Sequence, residues 1–116
     1  MYALVQEIFL LEGMDKMLEF EIDNTVLTAV ITGELDQHTA GVLREQIDLK
    51  LATGIYNTLI FDFTNLSFMD SSGIALVMGR VKNMQAVSGN VKVRINDVKM
   101  AKILTMSGMD KYVEFI

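Results

Sequence analysis

Segments of two-residue hydrophobic alternation and segments of helical spacing take turns along this chain from Met17 onward, and that succession constrains the fold more than any other feature. Met17 to Ile22 (MLEFEI) and Val26 to Thr32 (VLTAVIT) alternate on either side of Asp23-Asn24-Thr25, which reads as a β-hairpin turn. Gly33-Glu34-Leu35-Asp36 then stops the strand. From His38 to Thr53 the spacing turns helical, with Ala40, Leu43, Ile47 and Leu51 on one stripe and Gly54 placed to cap the C-terminus. Thr58 to Phe63 (TLIFDF) is a nearly continuous β-prone run, as in a strand covered on both faces. A second helix carries Ile74, Val77, Met78, Val81 and Met84 on one face and closes at Ser88-Gly89-Asn90. Val91 to Ile95 alternates again. Asp97 caps a third helix bearing Val98, Ala101 and Leu104, Ser107-Gly108 ends it, and Tyr112 to Phe115 is a final strand. The order ββαβαβαβ predicts an α/β fold: a mixed, mostly parallel sheet of four to five strands with helices packed on it.

Composition narrows what such a fold can do. A chain of 116 residues, 51% hydrophobic, buries one core and is too short for two ordinary domains. With no cysteine, neither a disulfide framework nor a thiolate metal site is available, and the cytoplasm is the default compartment. A net charge of −5 disfavours nucleic acid and anionic membrane surfaces, which demand clustered Lys and Arg, so protein partners are expected. Ile8 to Leu11, flanked by Glu7 and Glu12, is far short of the roughly 20 apolar residues that span a bilayer, and no basic segment precedes it. Residues 1–13 fall outside the alternating scheme and read equally as an amphipathic helix or edge strand and as a dispensable or non-native extension, leaving a domain over 14–116. Nine methionines suggest adaptable packing.

Two adjacent hydroxyls stand out. Asn65 to Met69 leads out of the central strand and Ile74 opens an apolar helical stripe, so Asp70-Ser71-Ser72-Gly73 is a strand-to-helix turn. One role for Ser or Asp there is capping, worth about 1 kcal/mol. The other is an anion site, because free N–H groups and the positive end of the helix dipole favour a phosphate, which would be held on Ser72 without an arginine pocket. A nucleophilic serine is poorly supported: Met69 and Asp70 stand where a hydrolase elbow requires Gly-x, and the sole histidine, His38, lies at the start of another helix. No phosphate-binding Gly-x-x-x-x-Gly-Lys occurs, and no metal-ligand spacing is recognisable. With Ile74, Val77, Val81 and Met84 facing inward, the opposite face of the second helix presents Leu76, Gly79, Arg80, Asn83 and Val87, a partly apolar bed for a partner.

Gly33-Glu34-Leu35-Asp36 with His38-Thr39-Ala40, Asn65 to Gly73, Met78-Gly79-Arg80 and Met106-Ser107-Gly108-Met109, in that order, resemble the anti-sigma factor antagonists of the STAS family, its sporulation members most of all. The resemblance covers roughly Met17 to Ile116. It implies a protein that is not an enzyme and carries no cofactor, but is the substrate of an anti-sigma factor serine kinase. The unphosphorylated form binds that kinase and frees the sigma factor. Phosphorylation of the second serine of the turn, Ser72, switches binding off, and a PP2C-type phosphatase reverses it. Asp36, Asp70, Ser71, Gly73, Leu76, Gly79 and Arg80 are implied partner-binding positions. Two departures stand out: Ala75 occupies a position where relatives often have a second glycine, and the usual C-terminal helix is missing, which leaves apolar surface and open ends for self-association. STAS domains also serve as interaction modules in anion transporters and lipid-transport systems without a phosphoswitch. The doubled serine favours the switch.

Overall fold

The computed structural model describes residues 17–116; the expected extension over 1–13 and the proposed start at residue 14 lie outside the described residues. Strand β1 (Leu18–Asp23) turns through Asn24-Thr25, with Asn24 in the left-handed region at φ 54°, into the antiparallel β2 (Val26–Leu35). Then come α1 (Gln37–Ala52), β3 (Thr58–Met69), α2 (Ser71–Gln85), β4 (Asn90–Arg94), α3 (Val98–Met106), a short 3-10 turn (Met109–Lys111) and β5 (Val113–Phe115). The sheet order is β1-β2-β3-β4-β5, with β2 to β5 all parallel. The mixed, mostly parallel sheet is therefore as expected, with five strands.

Each parallel strand lies directly beside its predecessor, and right-handed crossovers then place the three described helices on one face of the sheet. Leu27, Ala29 and Ile31 of β2, Leu59, Phe61 and Phe63 of β3, and Val91 and Val93 of β4 point to that face. They pack with Leu43 and Ile47 of α1, Val77, Val81 and Met84 of α2, and Leu104 of α3 in a single core. Among the described residues, helices cover β3 on one face. Its alternate residues Ile60, Asp62 and Thr64 stay half-buried on the other face. That face carries two ion pairs, Asp62 with Arg94 and Lys92 with Glu114, both at 3.4 Å.

Local differences from the sequence reading have identifiable causes. The Gly33-Glu34-Leu35 stretch does not stop β2, because Gly33 absorbs a register shift at φ 101° and pairing resumes as Glu34↔Phe68 and Leu35↔Met69. β3 continues to Met69 for the same reason. Thr53 rather than Gly54 is the C-cap of α1, in right-handed conformation, and Gly54 is instead pressed against the Tyr56 ring. Val98 begins α3 81% exposed, and Met100 takes the inward place beside Leu104.

Candidate functional site

The paired extension of β2 and β3 carries both strand ends to the same level, so the turns that follow them lie side by side at the carboxyl edge of the sheet. The two turns are tied directly, since the Asp70 N–H donates to the Leu35 carbonyl at 3.2 Å. Each turn then opens a helix with an aspartate cap. Asp36 Oδ1 accepts from the N–H groups of His38 at 2.9 Å and Thr39 at 3.1 Å, and the Thr39 hydroxyl accepts from the Asp36 N–H at 3.0 Å. Partial burial works to raise the Asp36 carboxyl, but those N–H donors, the Thr39 hydroxyl and the His38 charge hold it below the ordinary carboxylate value. Asp70 Oδ1 accepts from the Ser72 N–H at 2.8 Å.

It is therefore Asp70, not a serine, that caps α2. Neither the Ser71 nor the Ser72 hydroxyl forms a hydrogen bond among the described residues, and both stand in the first turn of α2. Ser71 is exposed and Ser72 half-buried. Gly73, next along, is buried for want of room: a Cβ there would lie 2.5 Å from Met69 Sδ and 3.3 Å from Leu35 Cδ2. Phe68, 47% exposed beside the turn, adds an apolar element that the sequence reading passed over.

From Ser72 a groove of about 420 Å³ runs between α1 and α2, lined by Gln37, Ala40, Gly41 and Arg44 on one side and Ser72, Ala75, Leu76 and Arg80 on the other. The expected exposed face of α2 needs correction here. Leu76 is 3% and Arg80 6% exposed, because α2 packs against α1 as well as the sheet and its inward arc is correspondingly wide. Gly79 is half-buried, while Asn83 and Val87 are exposed as expected. Ile74 and Met78 are only partly buried.

Arg80 is held in place. Its Nε lies 2.9 Å from Asp48 Oδ1 without the alignment of a hydrogen bond, and its Nη1 donates to the Leu76 carbonyl at 3.3 Å. Burial pushes the guanidinium below its ordinary value, Asp48 opposes this, and the like charge of Arg44 adds to it; an arginine still stays cationic at neutral pH. Ser72 thus shares its groove with two arginines, contrary to the expectation of a serine without an arginine pocket. Of the predicted site residues, Ser72, Leu76 and Arg80 line the groove, while Asp36, Asp70, Ser71, Gly73 and Gly79 fall outside its lining; Asp36 and Asp70 belong to the two adjoining turns joined by the Asp70–Leu35 hydrogen bond. Gln37 and Arg44 were missed. Their signal was the helical spacing of Gln37, Gly41, Arg44 and Asp48, a stripe of polar and small residues beside the apolar one of Ala40, Leu43, Ile47 and Leu51.

The profile of the STAS domain matches residues 17–116. The chain belongs to the STAS domain family. The anti-sigma F factor antagonist of Lysinibacillus sphaericus is 34% identical over 100 residues, covering 86% of this chain and 85% of that protein. Among solved structures, the anti-sigma factor antagonist SpoIIAA in its unphosphorylated form superposes with a TM-score of 0.75 at 30% identity, over 85% of this chain and 87% of that one. The Bacillus cell fate determinant SpoIIAA in the phosphorylated form gives 0.68 at 31% identity, over 85% and 90%. This STAS domain is therefore similar to proteins solved with and without phosphate. Among its described residues, no three His, Cys, Asp or Glu side chains converge and no helix is long and apolar enough to cross a membrane.

Proposed function

We propose that this STAS domain is an anti-sigma factor antagonist, a binding regulator rather than an enzyme, working in the cytoplasm. Its unphosphorylated form binds an anti-sigma factor serine kinase and so releases the sigma factor. Phosphorylation at Ser72 ends that binding. The observation that carries the reading is a serine hydroxyl with no hydrogen bond among the described residues, held by the Asp70 cap at the tip of α2 and beside the Asp36 turn. The similarity to SpoIIAA in both phosphorylation states supports it. In the transfer, the Ser72 oxygen attacks the γ-phosphorus of ATP, ADP departs, and the hydroxyl proton passes to a base on the kinase. A PP2C-type phosphatase restores the hydroxyl by hydrolysis, releasing inorganic phosphate.

A carboxylate or nucleotide phosphate of the kinase facing the turn would make charge sufficient for the switch, with the bulk of the phosphate adding to it. A phosphoserine adds about −1.5 to −2 charges. One like-charge pair about 5 Å apart at an effective dielectric of about 20 costs roughly 3 kcal/mol, which weakens binding on the order of a hundredfold. No refolding of the domain is required. Incubation with ATP alone should leave the protein unmodified, and addition of its anti-sigma kinase should add one phosphate, read by mass spectrometry. Ser72→Ala should abolish the gain, and Ser72→Asp should weaken kinase binding. Normal phosphorylation of Ser72→Ala at Ser71 would overturn the site assignment.

A further inference from the structure

We infer that the groove between α1 and α2 is a receptor for the domain's own phosphoserine, with Arg44 as its mobile counter-charge and Arg80 as its fixed one. This rests on Ser72 being the modified residue. Three observations converge on it. Ser72, Arg44 and Arg80 line one groove of about 420 Å³. Arg80 is 6% exposed, and its Nε has no aligned hydrogen-bond acceptor. Arg44 is exposed and forms no ion pair or hydrogen bond among the described residues.

Helix geometry brings these groups within electrostatic reach of Ser72. The Arg80 guanidinium is anchored at the Leu76 carbonyl. That is one helical turn from Ser72, roughly 6 Å along the axis. Both helices follow parallel strands and so run in the same direction. Asp48 contacts both Arg80 and Asn83, the latter at 3.3 Å, which fixes the register between the helices. Arg44, one turn before Asp48, then lies across from the first half of α2, and a helical side chain leans toward its own N-terminus, here toward Ser72. Opposite charge within about 4–6 Å favours the more anionic form of a titrating group by about one to three units.

The surrounding charges are mixed. Glu34 at the end of β2, Asp36 and Asp48 from α1 and its cap, and Asp70 from α2 oppose a phosphate, while His38, Arg44 and Arg80 favour it. Asp36 and Asp70 are already turned to backbone N–H groups, and Asp48 to Arg80, which leaves Arg44 uncommitted. The phosphorylated state is thereby tucked against its own domain rather than projecting freely.

The test installs phosphoserine at position 72 during translation, so that no kinase is needed, and follows the phosphate by 31P NMR titration of the full chain. Its second ionisation, about 6 for a free phosphoserine, should fall by about one unit, a roughly tenfold loss of proton affinity. Arg44→Gln should return most of that shift and Arg44→Lys should keep most of it. Salt at about 1 M should also diminish it in the wild-type chain. Equal ionisation in the wild-type and Arg44→Gln chains, with no effect of salt, would overturn the inference. A phosphoserine that titrates as expected in a chain no kinase modifies would instead leave the inference standing and sink the proposed function.

Discussion

Gly73→Ala probes how tightly the serine turn is built. The added Cβ would lie 2.5 Å from Met69 Sδ and 2.6 Å from Met69 Cγ, with Leu35 Cδ2 closing the opposite side at 3.3 Å. Ordinary carbon contacts are about 3.5–4.0 Å, so Met69 must shift by roughly 1 Å. Met69 is 4% exposed and its backbone is paired with Leu35 in the sheet, so it has little space to move into. Overpacking of this kind costs about 1–3 kcal/mol, while replacing a helical glycine by alanine returns about 0.5–1. The net expectation is a loss of about 1–2 kcal/mol. Urea denaturation followed by far-UV circular dichroism suits a chain without tryptophan. The decisive comparison is Gly73→Ala in a Met69→Ala background, where the obstructing atoms are gone and the substitution should turn neutral or slightly stabilising. An equal loss in both backgrounds would refute the steric account.

Asp48→Ala should destabilise by about 1–2 kcal/mol rather than the roughly 3–5 of a fully buried pair, because the Asp48 side chain is 40% exposed and water already screens it. An unchanged urea midpoint would show that the pair contributes nothing to holding α1 against α2. The acid limb should report Asp36 and Asp62. Burial raises Asp62, but Thr64 and Arg94 more than offset it, so both carboxyls are lowered in the folded state. Their contribution is present above the unfolded value of about 3.9 and is lost as pH falls through the lower folded values. Asp62→Asn should flatten the decline in stability between about pH 5 and pH 2, and an identical decline would contradict the assignment.

The fold was legible because Leu27, Ala29 and Ile31 alternate while Leu43 and Ile47 keep helical spacing, so period alone separates strand from helix. Strand ends were not, since Gly33 interrupts the alternation without interrupting the ladder, and only the partner strand reveals that pairing resumes. In the site, Asp70 and Ser72 declared themselves as a strand-to-helix turn and Asp36 through the family resemblance, while the structure assigns the caps to the two aspartates. Leu76 and Arg80 misled because a helical wheel assumes a single buried side, whereas α2 touches the sheet and a second helix. Arg44 stood on a visible polar stripe, but its relation to Ser72 is purely tertiary, so nothing in the sequence tied it to the site.

The strictly sequential strand order has a consequence for how the molecule assembles. Thr58 meets Val26, Asn90 meets Thr58 and Val113 meets Val91, so every parallel pair closes over a single intervening helix and no strand waits for a distant one. The entropic toll of ring closure grows only slowly with length and is met in similar modest steps. Such a chain can zip from its N-terminal hairpin outward as it leaves the ribosome, each βα unit docking on an edge already formed.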